Sequence, residues 1–301
     1  MAADRVLKKP DWLKVRLRRG PAAERLQGLL RRGGLHTVCE EALCPNQGQC
    51  WANGRATIMI LGGTCTRNCR FCNVSPERPE GCDAGEPRRV ADAVAEMGLD
   101  EIVITSVTRD DLPDGGAAIW AETVRRIRES APGVTVEVLV PDFGGSVTAL
   151  ATLLDARPDV FGHNLETVPR LYPAARPQAD YARSLDVLRR ARRRRLIVKT
   201  GIMVGLGEIE GEILALMRDA LAAGVDILSV GQYLQPSRQH LPVARYVPPP
   251  EFDAYRRQGL ELGFRVVVAA PLVRSSFHAE EQTVFVSRRL GRTPARRGPA
   301  G

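Results

Sequence analysis

From Ala56 onward, short runs of branched apolar residues alternate with longer stretches in which apolar side chains recur every three or four positions. Runs of the first kind suit strands buried on both faces, and stretches of the second kind suit helices laid against them. Their alternation is the pattern of strand-helix units around a parallel sheet. Six units can be read. Strands are expected at 56–62, 101–107, 135–140, 160–166, 196–206 and 226–233, with a further strand at 265–269. The helices are expected at 88–98, from Asp114-Gly115-Gly116 to Pro132, and at 146–154, 181–195, 210–223 and 251–262, the last ended by Gly263. Six successive units close most of a barrel. The expected fold is therefore α/β, a partial (β/α)6 TIM-type barrel with its ligands at the carboxyl ends of the strands.

The flanks show less regular apolar pattern and are expected to pack on the barrel instead of folding alone. The expected division is an N-terminal extension 1–54, the barrel 55–270 and a C-terminal segment 271–301.

Composition narrows the function class. A chain of 301 residues with 44% hydrophobic positions can bury a full core and is not a disordered tail protein. No apolar run is long enough to span a membrane; the longest candidate, near 196–206, is broken by Lys199, Thr200 and glycines. The first ten residues hold no apolar leader segment, so a cytoplasmic location and no membrane partner are expected. The net charge is +8, and only four of the 43 basic residues are lysines. Arginine clusters at 192–195 and 288–297 lack the interleaved aromatics of a stacking nucleic-acid surface, so no nucleic-acid partner is expected.

Six of the seven cysteines lie between Cys39 and Cys72. Dense thiols in a leaderless chain point to metal, not to disulfides. Directly after the first strand comes CTRNCRFC, in which Cys65, Cys69 and Cys72 form a C-x3-C-x2-C run. Three thiolates on a cuboidal four-iron cluster leave one iron open to a substrate or cofactor, whereas a structural zinc site closes with four ligands. A zinc knuckle or incidental thiols remain the competing reading. Upstream, Cys39, Cys44 and Cys50 form a C-x4-C-x5-C set, either a second cluster one ligand short or a loop of structural thiols. Cys82 stands apart.

The first run, in its place after a barrel's first strand, resembles the signature of the radical S-adenosylmethionine (SAM) superfamily. Together with CEEALCPNQGQCW it is similar to the lipoyl synthase family. The likeness extends through KPDWLK (9–14), RDDLPDGG (109–116), HNLET (163–167), GIMVGLGE (201–208), GQYLQP (231–236) and RSSFHA (274–279). It implies a barrel of the radical SAM type carrying two [4Fe-4S] clusters. One is held by Cys65, Cys69 and Cys72 and binds SAM through its open iron, so that one electron cleaves the sulfonium to a 5′-deoxyadenosyl radical. That radical takes hydrogen from unactivated carbon, which acid-base side chains cannot do. The auxiliary cluster is held by Cys39, Cys44, Cys50 and, from the matching position in the last motif, Ser276. An oxygen ligand binds iron less firmly than a thiolate and offers a release point.

The implied reaction inserts two sulfur atoms at C6 and C8 of an octanoyl chain on a lysine, using two SAM and consuming the auxiliary cluster. The implied partners are octanoylated lipoyl carrier domains (2-oxoacid dehydrogenase E2 subunits and the glycine cleavage H protein). An electron donor such as ferredoxin or flavodoxin and an iron-sulfur carrier protein for rebuilding the cluster complete the set. Departures from the family pattern are mild: Gln49 and Gly63 stand where acids are more usual, and Phe277 stands for a tyrosine, which removes a hydroxyl beside Ser276.

Further candidates lie at strand ends. Gly201, Met203, Gly205 and Glu208 resemble the superfamily's adenine-side pattern, and an ordinary strand-to-helix turn is the competing reading. Asn164 and Glu166 would alternate to the same side of the fourth strand, where they could bind ribose hydroxyls. Lys199, inside the fifth strand, could pair with a cofactor carboxylate or belong to a structural ion pair. The four histidines form no spaced metal pair and are expected to be structural. Two other functions compete: a methylthiotransferase-like two-cluster enzyme, which usually needs an appended RNA-binding domain, and a metal-bearing nucleic-acid-binding module.

Overall fold

The computed structural model describes residues 7–15, 20–52, 56–79, 81–274 and 280–292. Its centre is one eight-stranded sheet in sequential order: β1 (His36–Thr37), β2 (Thr57–Ile60), β3 (Glu101–Ser106), β4 (Thr135–Leu139), β5 (Val160–Gly162), β6 (Ile197–Val204), β7 (Ile227–Gln232) and β8 (Val266–Ala269). β1 is antiparallel to β2, and every later neighbour is parallel. The first and last strands do not pair, so the barrel is partial and open along one side.

The helices are α1 (Pro21–Gly33), α2 (Val38–Glu41), α3 (Gln47–Ala52), α4 (Glu86–Met97), α5 (Ala117–Ser130), α6 (Val147–Asp155), α7 (Tyr172–Ala175), α8 (Tyr181–Arg193), α9 (Glu210–Ala222), α10 (Pro249–Leu262) and α11 (Glu280–Arg289). One set of strand side chains, including Ile58, Ile104, Val138, Phe161, Val198 and Leu228, belongs to the large core shared with the helices. The opposite set faces the barrel interior. Burial on both faces is why the strands read as unbroken apolar runs. Among the described residues no helix is long and apolar enough to cross a membrane.

All six expected units are present, and the further strand becomes β8. The strands end within their patterns, and β5 falls furthest short, stopping at Gly162 instead of Glu166. Glu166 has a left-handed backbone (φ 65°), which a regular strand cannot contain, and it rejoins the sheet only through a bridge to Ile202.

The described parts of both flanks pack on the barrel. α1 buries Leu26, Leu29 and Leu30 on one stripe, opens with Pro21 and ends at a left-handed Gly34. It is tied to α4 where Arg89 donates to the Gly33 carbonyl (2.8 Å). α11 closes the lower end of the barrel. Its Val286 packs with Val160, Ile197, Ile227 and Val266, near the amino ends of their strands. There Gln282 donates to Glu137 at 2.8 Å, and the same carboxylate accepts from Lys199 at 2.7 Å. With that end plugged, the opposite mouth is the place for a ligand.

Candidate active site at the barrel mouth

A cavity of about 280 Å³ occupies the carboxyl end of the barrel. Its wall includes Thr105, His163, Asn164, Glu166, Gly201, Met203, Ser229 and Gly231 from the strand ends, Cys72 and Val74 from the loop after β2, Val38 from α2, and Val273 with Arg274. Cys72 of the first set, Val38 beside Cys39 of the upstream set, and the segment ending at Arg274 therefore share one space.

The 65–72 loop is held from three sides. Arg67, nearly buried, forms a two-pronged ion pair with Asp110 (2.7 and 2.8 Å) and reaches Asp142 at 2.7 Å. Burial works to raise the Asp142 carboxyl, yet the Arg67 ion pair outweighs it and holds the group at about 2. The Arg70 amide donates to the Ala175 carbonyl (2.8 Å), and the Arg70 carbonyl accepts from Leu241 (2.9 Å). His240 spans the gap between Ser237 Oγ (2.8 Å to Nδ1) and the Cys72 carbonyl (2.9 Å to Nε2). Two backbone amides, Arg67 and Thr108, donate to Cys65 Sγ at 3.4 and 3.3 Å. The thiols of Cys65, Cys69 and Cys72 are near enough to act on one another electrostatically. Burial above all pushes Cys69 up to about 11 and Cys72 up to about 12. As free thiols these two are protonated near neutrality, and metal binding must displace the protons.

The upstream set starts on α2, whose cap Thr37 accepts from the Glu40 amide (3.3 Å). Cys39 is buried, which raises its thiol, and it senses Cys44; Cys44 and Cys50 are partly exposed. The Asn73 side chain donates to the Glu41 carbonyl (2.8 Å) and joins the two cysteine loops. Arg274 is within electrostatic reach of Cys44 and of Lys9, so the first residues of the first and last motifs come together, with Arg274 near Cys44. Ser276 lies outside the described residues.

The remaining candidates divide. Asn164 and Glu166 line the cavity and are joined at 3.0 Å, and burial raises the Glu166 carboxyl. Gly201 and Met203 also line it. Gly205 and Glu208 build the turn behind: the Glu208 carboxylate accepts from the amides of Gly205 (2.6 Å) and Leu206 (2.9 Å). Gly205 has φ 98°, and a methyl there would run into Gln232 and the Arg245 carbonyl. Lys199 is not brought to the cavity wall. It is 2% exposed and paired with Glu137 below, so the geometry favours the structural ion pair. Arg67, Asp142 and His240, which hold the 65–72 loop, were not singled out by the sequence, because their partners are remote.

Residues 59–220 match the radical SAM superfamily. Lipoyl synthase of Rubrobacter xylanophilus is 58% identical over 277 residues, covering 91% of this chain and 86% of that protein. Lipoyl synthase of Thermus thermophilus is 55% identical over 276 residues, covering 90% and 85%. The chain belongs to the lipoyl synthase family of radical SAM enzymes. Streptococcus suis SuiB bound to S-adenosylmethionine shares the fold, with a TM-score of 0.55 at 12% identity over 87% of this chain and 62% of that one.

Lipoyl synthases use SAM and [4Fe-4S] clusters, and the residues at this mouth fit both groups. One loop offers three thiols, with Cys72 on the cavity wall, and the buried wall atoms His163 Nε2 and Ser229 Oγ have no partner among the described residues. Among the described residues no three Cys, His, Asp or Glu side chains converge as ligands of a single metal ion. A cuboidal cluster does not require that, because each thiolate holds a different iron.

Proposed function

We propose that this chain acts as a lipoyl synthase, inserting sulfur at C6 and C8 of an octanoyl group carried on a lysine of a lipoyl carrier domain. The observation that carries the reading is a cavity at the open end of the barrel walled by Cys72 of one three-cysteine loop and by Val38, next to Cys39 of the other, in a chain with lipoyl synthase relatives over most of its length. Cys65, Cys69 and Cys72 would hold the cluster that receives SAM, with Asn164 and Glu166 on its ribose and Gly201 and Met203 beside its adenine. Cys39, Cys44, Cys50 and Ser276 would hold the auxiliary cluster. The bound groups supply hydrogen abstraction from unactivated carbon and the sulfur atoms. The chain itself supplies placement: the Arg67 and His240 clamps fix one loop, and the Asn73 bond to Glu41 fixes its distance from the other.

The reading extends to the two carrier classes, 2-oxoacid dehydrogenase E2 subunits and glycine cleavage H protein. It further includes ferredoxin or flavodoxin as reductant, an iron-sulfur carrier for cluster renewal, and a cytoplasmic setting. On this reading 1–54 brings the auxiliary ligands, 55–270 the SAM site and 271–301 the serine ligand. The deciding assay supplies anaerobically reconstituted protein with SAM, a reductant and an octanoyl-lysyl carrier peptide. A dithiolane on the peptide is expected. SAM cleavage with no sulfur insertion would assign a different substrate, and zinc in place of iron and sulfide would overturn the cluster chemistry.

A further inference from the structure

His163 is 1% exposed, lines the cavity, and has one ring nitrogen committed. Its Nδ1 stands 2.8 Å from the Val140 carbonyl oxygen. A carbonyl oxygen only accepts, so Nδ1 carries the proton and Nε2 presents a lone pair. That Nε2 is fully buried and has no partner among the described residues. Burial chiefly, with Arg176 adding to it, holds the ring down at about 4, so near neutral pH it stays an acceptor. A buried acceptor without a donor is costly unless a ligand supplies one.

We infer that His163 Nε2 accepts a hydrogen bond from a hydroxyl or amine donor of bound SAM, making His163 a binding residue of the cofactor pocket. The inference rests on the reading of the site given above. Two ligands could bring a donor here: SAM, rich in hydroxyl and amine groups, and the substrate, whose octanoyl chain carries no donor before the amide N–H that joins it to the lysine. Chain geometry separates them. The amide is attached at C1 of the octanoyl group, so with C6 and C8 at the reacting centre the amide trails outward toward the mouth. His163 is buried in the wall beside Asn164 at the end of β5, among the strand-end residues read as the SAM site, and meets the compact polar ligand.

The test measures equilibrium binding of SAM, and separately of an octanoyl-lysyl peptide, to cluster-loaded protein. In His163→Asn the side-chain amide nitrogen can take the place of Nδ1 on Val140 while the Nε2 acceptor is gone. SAM affinity is expected to fall about five- to tenfold, as for loss of one neutral hydrogen bond. Iron content and peptide affinity should be unchanged. His163→Gln, which can carry an amide oxygen to the Nε2 position, should recover part of the loss. Should His163→Asn not fold, His163→Gln is compared with His163→Met, of similar length but without an oxygen or nitrogen acceptor; tighter SAM binding by Gln is expected. Wild-type SAM affinity in the Asn variant, equal affinities in the Gln and Met variants, or a loss confined to the peptide would each overturn the inference. A wild-type protein that binds the peptide but no SAM would instead overturn the reading of the site, and this inference with it.

Discussion

The side-chain amide of Asn46 donates to the carbonyl oxygen of Leu272 at 2.7 Å and ties the loop between Cys44 and Cys50 to the segment two residues before Arg274. Asn46 is itself buried. The bond spans the parts of the chain proposed to supply the thiolate and serine ligands of one auxiliary cluster, so it positions ligands without being one. Groups that orient metal ligands are commonly worth 10–100-fold in metal affinity. Asn46→Ala is therefore expected to lose about half of the protein's iron and sulfide on desalting, while reductive SAM cleavage persists and dithiolane formation falls at least about tenfold. Iron analysis beside a SAM-cleavage assay reads both outcomes, and equal loss of the two activities would sink this account.

Arg67 is the second support. It fills the space between two carboxylates, and removing it leaves Asp142 buried with Arg183, 3.2 Å away, and the Gly144 amide, 3.1 Å away, as its partners. Breaking a buried pair from one side typically costs about 3–5 kcal/mol; Asp110 is partly exposed and Arg183 remains, so the lower end is expected for Arg67→Ala. Lysine cannot reproduce the two-pronged geometry and should rescue little. Asp142 is held at about 2, below its ordinary 3.8, so its contribution is complete above pH 4 and lost as pH falls toward 2. The gap in thermal stability between wild type and Arg67→Ala should accordingly narrow on acidification. A gap independent of pH would show that the ion pair is not its source.

The repeating strands were legible because a parallel strand buried on both faces must be apolar throughout. The two cysteine sets were legible because their ligands are close in sequence. What holds those loops was not, since the partners are remote: His240 and Cys72 are 168 positions apart, and Asn46 and Leu272 are 226. α1 has a signal, the Leu26, Leu29, Leu30 stripe between Pro21 and Gly34, but arginines dilute it. α11 is less readable. Its buried Gln282 makes sense only beside Glu137, which no local pattern connects to it. The strand expected at 160–166 ends early, at Gly162, because the left-handed turn at Glu166 places that residue on the cavity wall and leaves it only a bridge to Ile202 in the sheet.

Ser276 lies outside the described residues, and its proposed role comes from the matching family motif. Ser276→Ala removes the oxygen ligand without touching Cys65, Cys69 or Cys72. SAM cleavage is expected to continue and lipoyl formation to stop, as measured by mass spectrometry of the carrier peptide. Wild-type lipoyl formation by this variant would refute the ligand role.

Lys199 offers the cleanest separation of a binding role from a structural one. Its ammonium and the Glu137 carboxylate are 2% and 1% exposed, and the second carboxylate oxygen is taken by Gln282 of α11. Lys199→Met keeps much of the length and removes the charge, leaving Glu137 buried with one neutral donor. A destabilisation of about 3–5 kcal/mol is expected in denaturant unfolding. The double variant Lys199→Met with Glu137→Leu removes both charges and should recover much of that loss, since apolar groups of similar volume often replace a buried pair without net cost. Because Lys199 is absent from the cavity wall, SAM affinity of the folded, cluster-loaded double variant should match wild type. A selective loss of SAM binding there, with stability restored, would move Lys199 back among the residues that touch the cofactor.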